Sequence, residues 1–462
     1  MNSKKQHIET LTTETTEFRR EIGVFGGVSI IVGIMVGSGI FYQGAMTINR
    51  VGMNCGLALL CWVIGGLISL MGGLCYAELG TAMPKAGGRL IYLNEAFHPV
   101  VGFTAGFTDW LIGGPGSIAA VAIANITVLK SFTDMSDFGV KIASIVLIVA
   151  LTAWNLLGVK AASFFQNLSL LMKIIPILIV MVAALIAGHL SPDLSLSSAS
   201  TYASQHNTSV FSMMAIAIVA CLWSYEGWSN LNTVAEEIRN PKKNIPRALI
   251  IGIGGVMILY TLFNYAILRV LPHSKIVELI NDGNYYIGTE AARMVLGNTG
   301  AVIVTMGMVL AMFGTMNGMI LAQPRMYYAM AAEGHFFKSF SKLSPRTKVP
   351  TVPIIVQGIL SVALVMARNL DQLTNMVVLS AMIYNLLVIV AVPILRHKYP
   401  DIERPYKVWF YPVTVIIMIV LYAFLIYETA VDDPVTGIVG LSVPFIGALV
   451  YYIFDVKNKK VQ

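Results

Sequence analysis

Apolar residues in this chain come in long, nearly unbroken blocks rather than in the short alternating runs of half-buried elements. Blocks of spanning length fall at about 22 to 47, 55 to 80, 99 to 128, 140 to 159, 166 to 189, 210 to 235, 247 to 271, 299 to 323, 351 to 367, 371 to 395, 408 to 430 and 434 to 454, against the roughly 20 apolar residues that a bilayer-crossing helix needs. The pattern predicts an all-α polytopic membrane protein with twelve transmembrane helices. An even number of crossings returns both termini to one side. Residues 1–21 and 455–462 are then short polar tails, with no apolar leader or cleavage site in the first of them.

Charge placement says which side. One set of loops carries Arg239, Lys242, Lys243 and Arg247, then Lys338, Lys342, Arg346 and Lys348, then Arg396, Lys398, Arg404 and Lys407. The other set has only scattered basic residues such as Arg50, Lys130, Lys275, Arg293 and Arg368. Basic loops stay in the cytoplasm, so both termini are expected there, in an inner (plasma) membrane. Composition agrees: 56% of residues are hydrophobic and 12% charged, about half the charged share of a soluble domain. The net charge of +7 follows from loops facing the lipid bilayer, and nucleic acid is not an expected partner. Cys55, Cys61, Cys75 and Cys221 lie irregularly in or beside apolar blocks and read as small core residues.

Two blocks are interrupted. In the first, Gly37-Ser38-Gly39 falls inside a helix that otherwise runs from Val24 to about Thr47. Each interior glycine costs about 1 kcal/mol relative to alanine, which leaves two readings: a break, or a face for close helix packing. In the sixth block, Ser224-Tyr225-Glu226-Gly227 places a formal charge at membrane depth. Each interruption lies in the first helix of a possible five-helix half, at 22–189 and 210–395, with 408–454 added. Matching interruptions of this kind point to an inverted-repeat carrier with its site at the midplane.

The ordered motifs extend along almost the whole chain: Gly37-Ser-Gly-Ile-Phe41; Cys75-Tyr-Ala-Glu-Leu-Gly80 with Pro84-Lys-Ala-Gly-Gly88; Gly158-Val-Lys160 with Gln166-Asn167 and Lys173. They continue with Trp223 to Trp228, Glu236-Glu237-Ile-Arg-Asn-Pro241, Phe313-Gly-Thr-Met-Asn-Gly318 with Arg325, Glu333-Gly-His335, and Leu395-Arg-His397 to Glu403-Arg-Pro405. Together they resemble the amino acid-polyamine-organocation transporters, most closely the L-type amino acid transporter branch in its stand-alone bacterial form.

The resemblance implies a five-plus-five inverted repeat (the LeuT-like fold) with broken helices 1 and 6, and an L-amino acid substrate carried by alternating access. Exchange is the expected mode, with proton-coupled symport and amino acid/polyamine antiport as alternatives. A broken helix offers unpaired amides for a carboxylate and unpaired carbonyls for an ammonium. The implied clamp is Gly37, Ser38 and Gly39 for the carboxylate, with Met35 and the stretch from Trp223 through Glu226 to Gly227 for the ammonium. Trp223 is implied as the outer gate over substrate; without the adjacent break it would read as an ordinary aromatic.

Lys173 is implied as the coupling or structural group that stands where sodium-driven relatives hold an ion. The alternative is a lysine snorkelling to the interface. Glu226 departs from the small residue of many neutral carriers and suggests cationic amino acids, unless it is paired internally or protonated. Glu78, Asp109 and Arg325 are expected in one polar cluster toward the cytoplasmic side, either as a lock on the inner gate or as a purely structural network, and Ser117 and Asn317 in the pocket lining. Lys130 to Gly139, where animal heavy chains would attach through a cysteine, contains none, so no covalent heavy-chain partner is expected.

No cofactor or metal is implied: the seven histidines are scattered and no His-Glu-x-x-His occurs. A membrane enzyme, a receptor with an output domain and a channel with charge rings each lack their sequence signature.

Overall fold

The computed structural model describes residues 2–13, 20–37, 39–85, 87–131, 133, 135–157, 174–332, 336–347 and 349–459. Its helices are α1 (Asn2–Thr12), α2 (Val24–Met35), α3 (Gly39–Arg50), α4 (Cys55–Ala82), α5 (Arg89–Ala96), α6 (Pro99–Thr127), α7 (Asp137–Leu156), α8 (Ile174–Ala187) and α9 (Ser197–Gln205). They continue as α10 (Val210–Tyr225), α11 (Trp228–Glu237, wound as a 3-10 helix), α12 (Pro241–Leu268), α13 (His273–Asn281), α14 (Ile287–Ala332), α15 (Thr351–Ala367), α16 (Leu370–Lys398), α17 (Val413–Asp432) and α18 (Pro434–Lys459).

Among the described residues, nine helical spans are long and apolar enough to cross a bilayer, or ten with the bent pair α2 and α3, while α8 and α15 are shorter apolar helices. These twelve segments fall where the apolar blocks predicted them. The polar N-terminus departs from the expected plain tail, because α1 docks on the bundle: Leu11 is buried and His7 Nε2 lies 3.1 Å from Glu95 Oε2. Polar residues in the joints start the spans by capping free amides, as Asn54 does for Leu57 N (2.7 Å), while Asn369 and Gln372 form a reciprocal capping box. Cys55, Cys61, Cys75 and Cys221 are buried free thiols.

The core is built around the two interrupted segments. α2 packs on α12, α3 on α10, and α4 crosses both α10 and α12. On the face carrying the basic loops, the chain before α2 is stitched to the chain after α11. Ile22 N donates to the Glu237 carbonyl (3.0 Å), Arg239 N donates to the Ile22 carbonyl (2.8 Å), and the Arg20 guanidinium donates to the Ile238 carbonyl (2.8 Å). Lys85 pairs with Glu236 at 3.5 Å beside this stitch.

The same face holds a buried carboxylate. Glu78, at the end of α4, receives two hydrogen bonds from Arg396 (2.7 and 2.6 Å) and one from Val408 N (2.8 Å), with Arg404 Nε at 3.8 Å. The expected grouping of Glu78, Asp109 and Arg325 is therefore wrong. Glu78 clamps the connection between α16 and α17, Asp109 pairs elsewhere, and Arg325 is exposed on α14. Sequence places three charges near one end of the bundle but does not say which loop returns to meet them.

Because Glu78 is buried while Arg396 retains solvent contact, Glu78→Gln is expected to lower the detergent-solubilised protein's stability by about 3 kcal/mol, as when one partner of a buried pair is removed. Thermal unfolding checks this, and replacing Glu78 and Arg396 together by apolar residues should recover part of the loss.

Candidate functional site

The site forms where two helices stop inside the bundle. α2 ends at Met35, α3 starts at Gly39, and their axes differ by 55°. α10 ends at Tyr225, and the chain turns through Glu226 and Gly227 into α11. Gly227 has φ 121°, a conformation that L side chains rarely adopt, and a Cβ there would stand 2.4 Å from Ile34 Cγ2. Its lack of a side chain lets the second break seat against the last turn of α2. Across the gap, a Cβ on Gly39 would lie 2.4 Å from Ser224 Oγ and 2.9 Å from Trp223 Cδ1. The start of α3 thus abuts the last turn of α10.

One side chain joins the two open carbonyl ends. The Tyr260 hydroxyl, from α12, donates to the Met35 carbonyl at 2.8 Å and lies 3.3 Å from the Ser224 carbonyl. Tyr260 is held by edge contacts with Trp62 (centroids 5.5 Å apart) and by Tyr225 (5.3 Å), whose hydroxyl donates to the Trp62 carbonyl at 2.9 Å. Along α3, Gly39, Gln43 and Thr47 lie four residues apart and so share the face toward α10, where Thr47 Oγ1 meets Cys221 Sγ at 3.5 Å. Gln43 is fully buried, and neither atom of its amide has a partner among the described residues; the Ser224 hydroxyl is likewise unmatched. A buried polar group left unpaired costs about 1–3 kcal/mol, so these atoms beside the breaks are open to a polar partner.

Of the residues expected from sequence, Met35, Gly37, Gly39, Trp223, Glu226 and Gly227 meet at the two breaks. Trp223 is half-buried against Gly39, and Glu226 is half-buried at the turn. Ser38 and Lys173 lie outside the described residues, as do the motifs at 158–173 and 333–335.

Ser117 and Asn317 each have a partner inside the bundle. Ser117 donates to the Gly113 carbonyl of its own helix (2.6 Å), and Asn317 accepts from Asn155 on α7 (3.0 Å). Tyr260 and Gln43 were not singled out from sequence. A lone tyrosine in an apolar block carries no signal, although Gln43 in such a block four residues past Gly39 does. Among the described residues, no three His, Cys, Asp or Glu side chains gather as metal ligands.

The face opposite the basic loops is more open. A cavity of about 520 Å³ there is lined by Arg50, Tyr202, Tyr285, Asp371 and Asp432, among others. Arg50, the last residue of α3, crosses to α16 by pairing with Asp371, donates to Asn375 Oδ1 (3.1 Å), and also reaches the Ile216 carbonyl of α10 (2.7 Å).

Paired helix breaks in a bundle of apolar spans are the arrangement of a membrane carrier. The sequence matches the amino acid permease family over residues 22–454, and the chain belongs to that family. Among its relatives is the serine/threonine exchanger SteT of Bacillus subtilis (strain 168), 30% identical over 95% of this chain and 98% of its own. The b(0,+)-type amino acid transporter 1 of Mus musculus is 27% identical (96% and 90% covered), and the human cystine/glutamate transporter is 28% identical (97% and 87%).

A side chain at Gly39 would force α3 and α10 apart. Gly39→Val is expected to reduce transport by about two orders of magnitude, the scale of a misplaced binding geometry, while leaving a monodisperse protein. Uptake alongside size-exclusion chromatography measures both.

Proposed function

We propose that this amino acid permease works as an L-amino acid exchanger that accepts neutral and cationic amino acids, by alternating access across the plasma membrane with both termini in the cytoplasm. One observation carries the reading: the carbonyl ends of α2 and α10 converge on the Tyr260 hydroxyl while the amino end of α3 faces them. Amides at Ser38 and Gly39 take the substrate carboxylate at the positive end of α3, and carbonyls at Met35 and from Trp223 to Glu226 take its ammonium. The clamp reads the amino acid backbone and leaves side-chain choice to its surroundings.

Trp223, lying against Gly39, closes over the substrate, and the Gln43 amide supplies a hydrogen bond within the chamber. Glu226 has no hydrogen-bonded cation among the described residues, which leaves its carboxylate available to the far amine of a dibasic substrate. Arg50 with Asp371 forms the outer barrier, and the stitch at Ile22 and Ile238 the inner one. Lys173 takes the coupling role. The two repeats run over 22–189 and 210–395, and the chain needs no heavy-chain partner, in keeping with the absence of cysteine from Lys130 to Gly139. The similarity to a serine/threonine exchanger supports exchange over symport.

Purified protein in liposomes tests this directly. Labelled serine is expected to enter only vesicles preloaded with amino acid; entry into empty vesicles under a pH gradient would instead establish proton symport. Glu226→Gln is expected to weaken lysine and arginine competition about tenfold, the scale of one lost charged contact, with serine uptake retained. Unchanged dibasic competition would remove the cationic part of the proposal. Gln43→Met is expected to raise the serine KM about tenfold at similar maximal rate, the signature of a lost binding contact.

A further inference from the structure

The connection from α16 to α17 turns aromatic side chains outward from a backbone that is held on both sides. Val408 N donates to Glu78 Oε2 at 2.8 Å. The Arg396 guanidinium, which carries two further bonds to Glu78, lies 3.6 Å from the centroid of the Tyr411 ring. From the first turn of α17, Thr414 donates through its hydroxyl to the Trp409 carbonyl and through its amide to the Phe410 carbonyl (3.3 Å).

Between these anchors Phe410 has φ 55°, a region that a bulky L residue rarely adopts and that persists only where the surroundings impose it. The imposed geometry buries nothing: Phe410 is 84% exposed and Trp409 47% exposed. Large apolar side chains fixed in an exposed position call for a partner outside the chain.

α17 identifies that partner. Val413, Ile416, Val420, Phe424 and Tyr427 are all exposed and recur at three- and four-residue spacing, an apolar stripe of the kind that acyl chains cover. The helix has 20 residues, which at 1.5 Å each span about 30 Å, the thickness of the hydrocarbon layer. Val413 thus stands at the edge of that layer. Trp409, Phe410 and Tyr411, just before it, stand at headgroup level on the face carrying the basic loops, where amphipathic rings are favoured.

The charge beside them has one sign. Lys407 is exposed two residues before Trp409 and has no ion-pair partner among the described residues. Lys242 pairs with Glu403 at 2.9 Å, which ties the start of α12 to the same connection, and Lys243 and Arg247 are exposed there. Basic side chains flanking aromatic rings at this depth complement the phosphate of an anionic lipid.

We propose that residues 407–411 form a binding site for an anionic phospholipid in the leaflet on the basic face. Lys407 meets the headgroup phosphate, the Trp409 indole lies beside the headgroup, and Phe410 enters between the chains. Val408 and Tyr411 belong to the Glu78 clamp. A lipid seated here therefore holds the end of α16 and the start of α17 against α4, and stabilises the bundle through that clamp.

Quenching of tryptophan emission by brominated lipid in nanodiscs tests the site, with Trp409→Phe subtracted from wild type to isolate one indole of six. In a phosphatidylcholine background, brominated phosphatidylglycerol is expected to half-quench the Trp409 signal at a mole fraction about fivefold below that of brominated phosphatidylcholine. One basic residue at an anionic surface is worth about that factor. Lys407→Gln should bring the two mole fractions together. In detergent, phosphatidylglycerol should raise the unfolding temperature of the wild type above its value in phosphatidylcholine. That increment should vanish in Lys407→Gln and Phe410→Ser, and also in Glu78→Gln, which keeps the quenching preference.

A Trp409 signal that neither lipid quenches overturns the proposal. Equal half-quenching mole fractions in the wild type overturn it as well, since the contact would then be with any lipid. An increment that survives in Glu78→Gln overturns the link to the clamp. Should Lys407→Gln fail to fold, the wild-type comparison of the two lipids decides alone.

Discussion

Everything at the centre of this molecule follows from one constraint: a backbone amide or carbonyl inside a bilayer must find a partner within the protein. Stopping a helix at membrane depth strands several such groups. Here two helices stop at the same depth and are set against each other, so that each helps to complete its neighbour. Tyr260 covers both carbonyl ends with one hydroxyl, and the small residues at Gly39 and Gly227 permit the approach. A hydroxyl has a single proton to give. The two carbonyls therefore share one donor, which lies nearer Met35 than Ser224.

The closure at the two ends of the bundle is of different kinds. On the basic face it consists of main-chain bonds between the segments flanking α2 and α11, with an ion pair beside them. On the opposite face it consists of the Arg50 side chain reaching from α3 to α16 and α10, next to an open cavity. A charged side chain beside an open cavity is more readily exchanged for water than are backbone bonds between packed segments. One end of the bundle is thus held by main-chain bonds and the other by a side chain.

Much of this was legible in the sequence because the bilayer imposes one-dimensional rules. Apolar block length gave the spans, and the glycines at 37 and 39 and the charge at 226 gave the breaks. What could not be read was pairing across the fold. Glu78, Asp109 and Arg325 lie near one end of their spans and looked like one cluster, yet Glu78 is claimed by Arg396 and a returning loop, and Asp109 by an arginine outside any span. Asn317 and Ser117 stood out because polarity in an apolar block suggests function, and the sequence did not show the partner that each has nearby. Tyr260 carried no signal at all. Its importance comes from standing opposite two broken ends.

The stitch between Ile22 and Ile238 bears on how substitutions accumulate in this protein. Three of its contacts accept or donate through the main chain, so replacing either isoleucine leaves those groups in place. A scan of side chains would pass over most of this junction. Sequence drift can change the side chains around the two breaks while this main-chain junction stays in place.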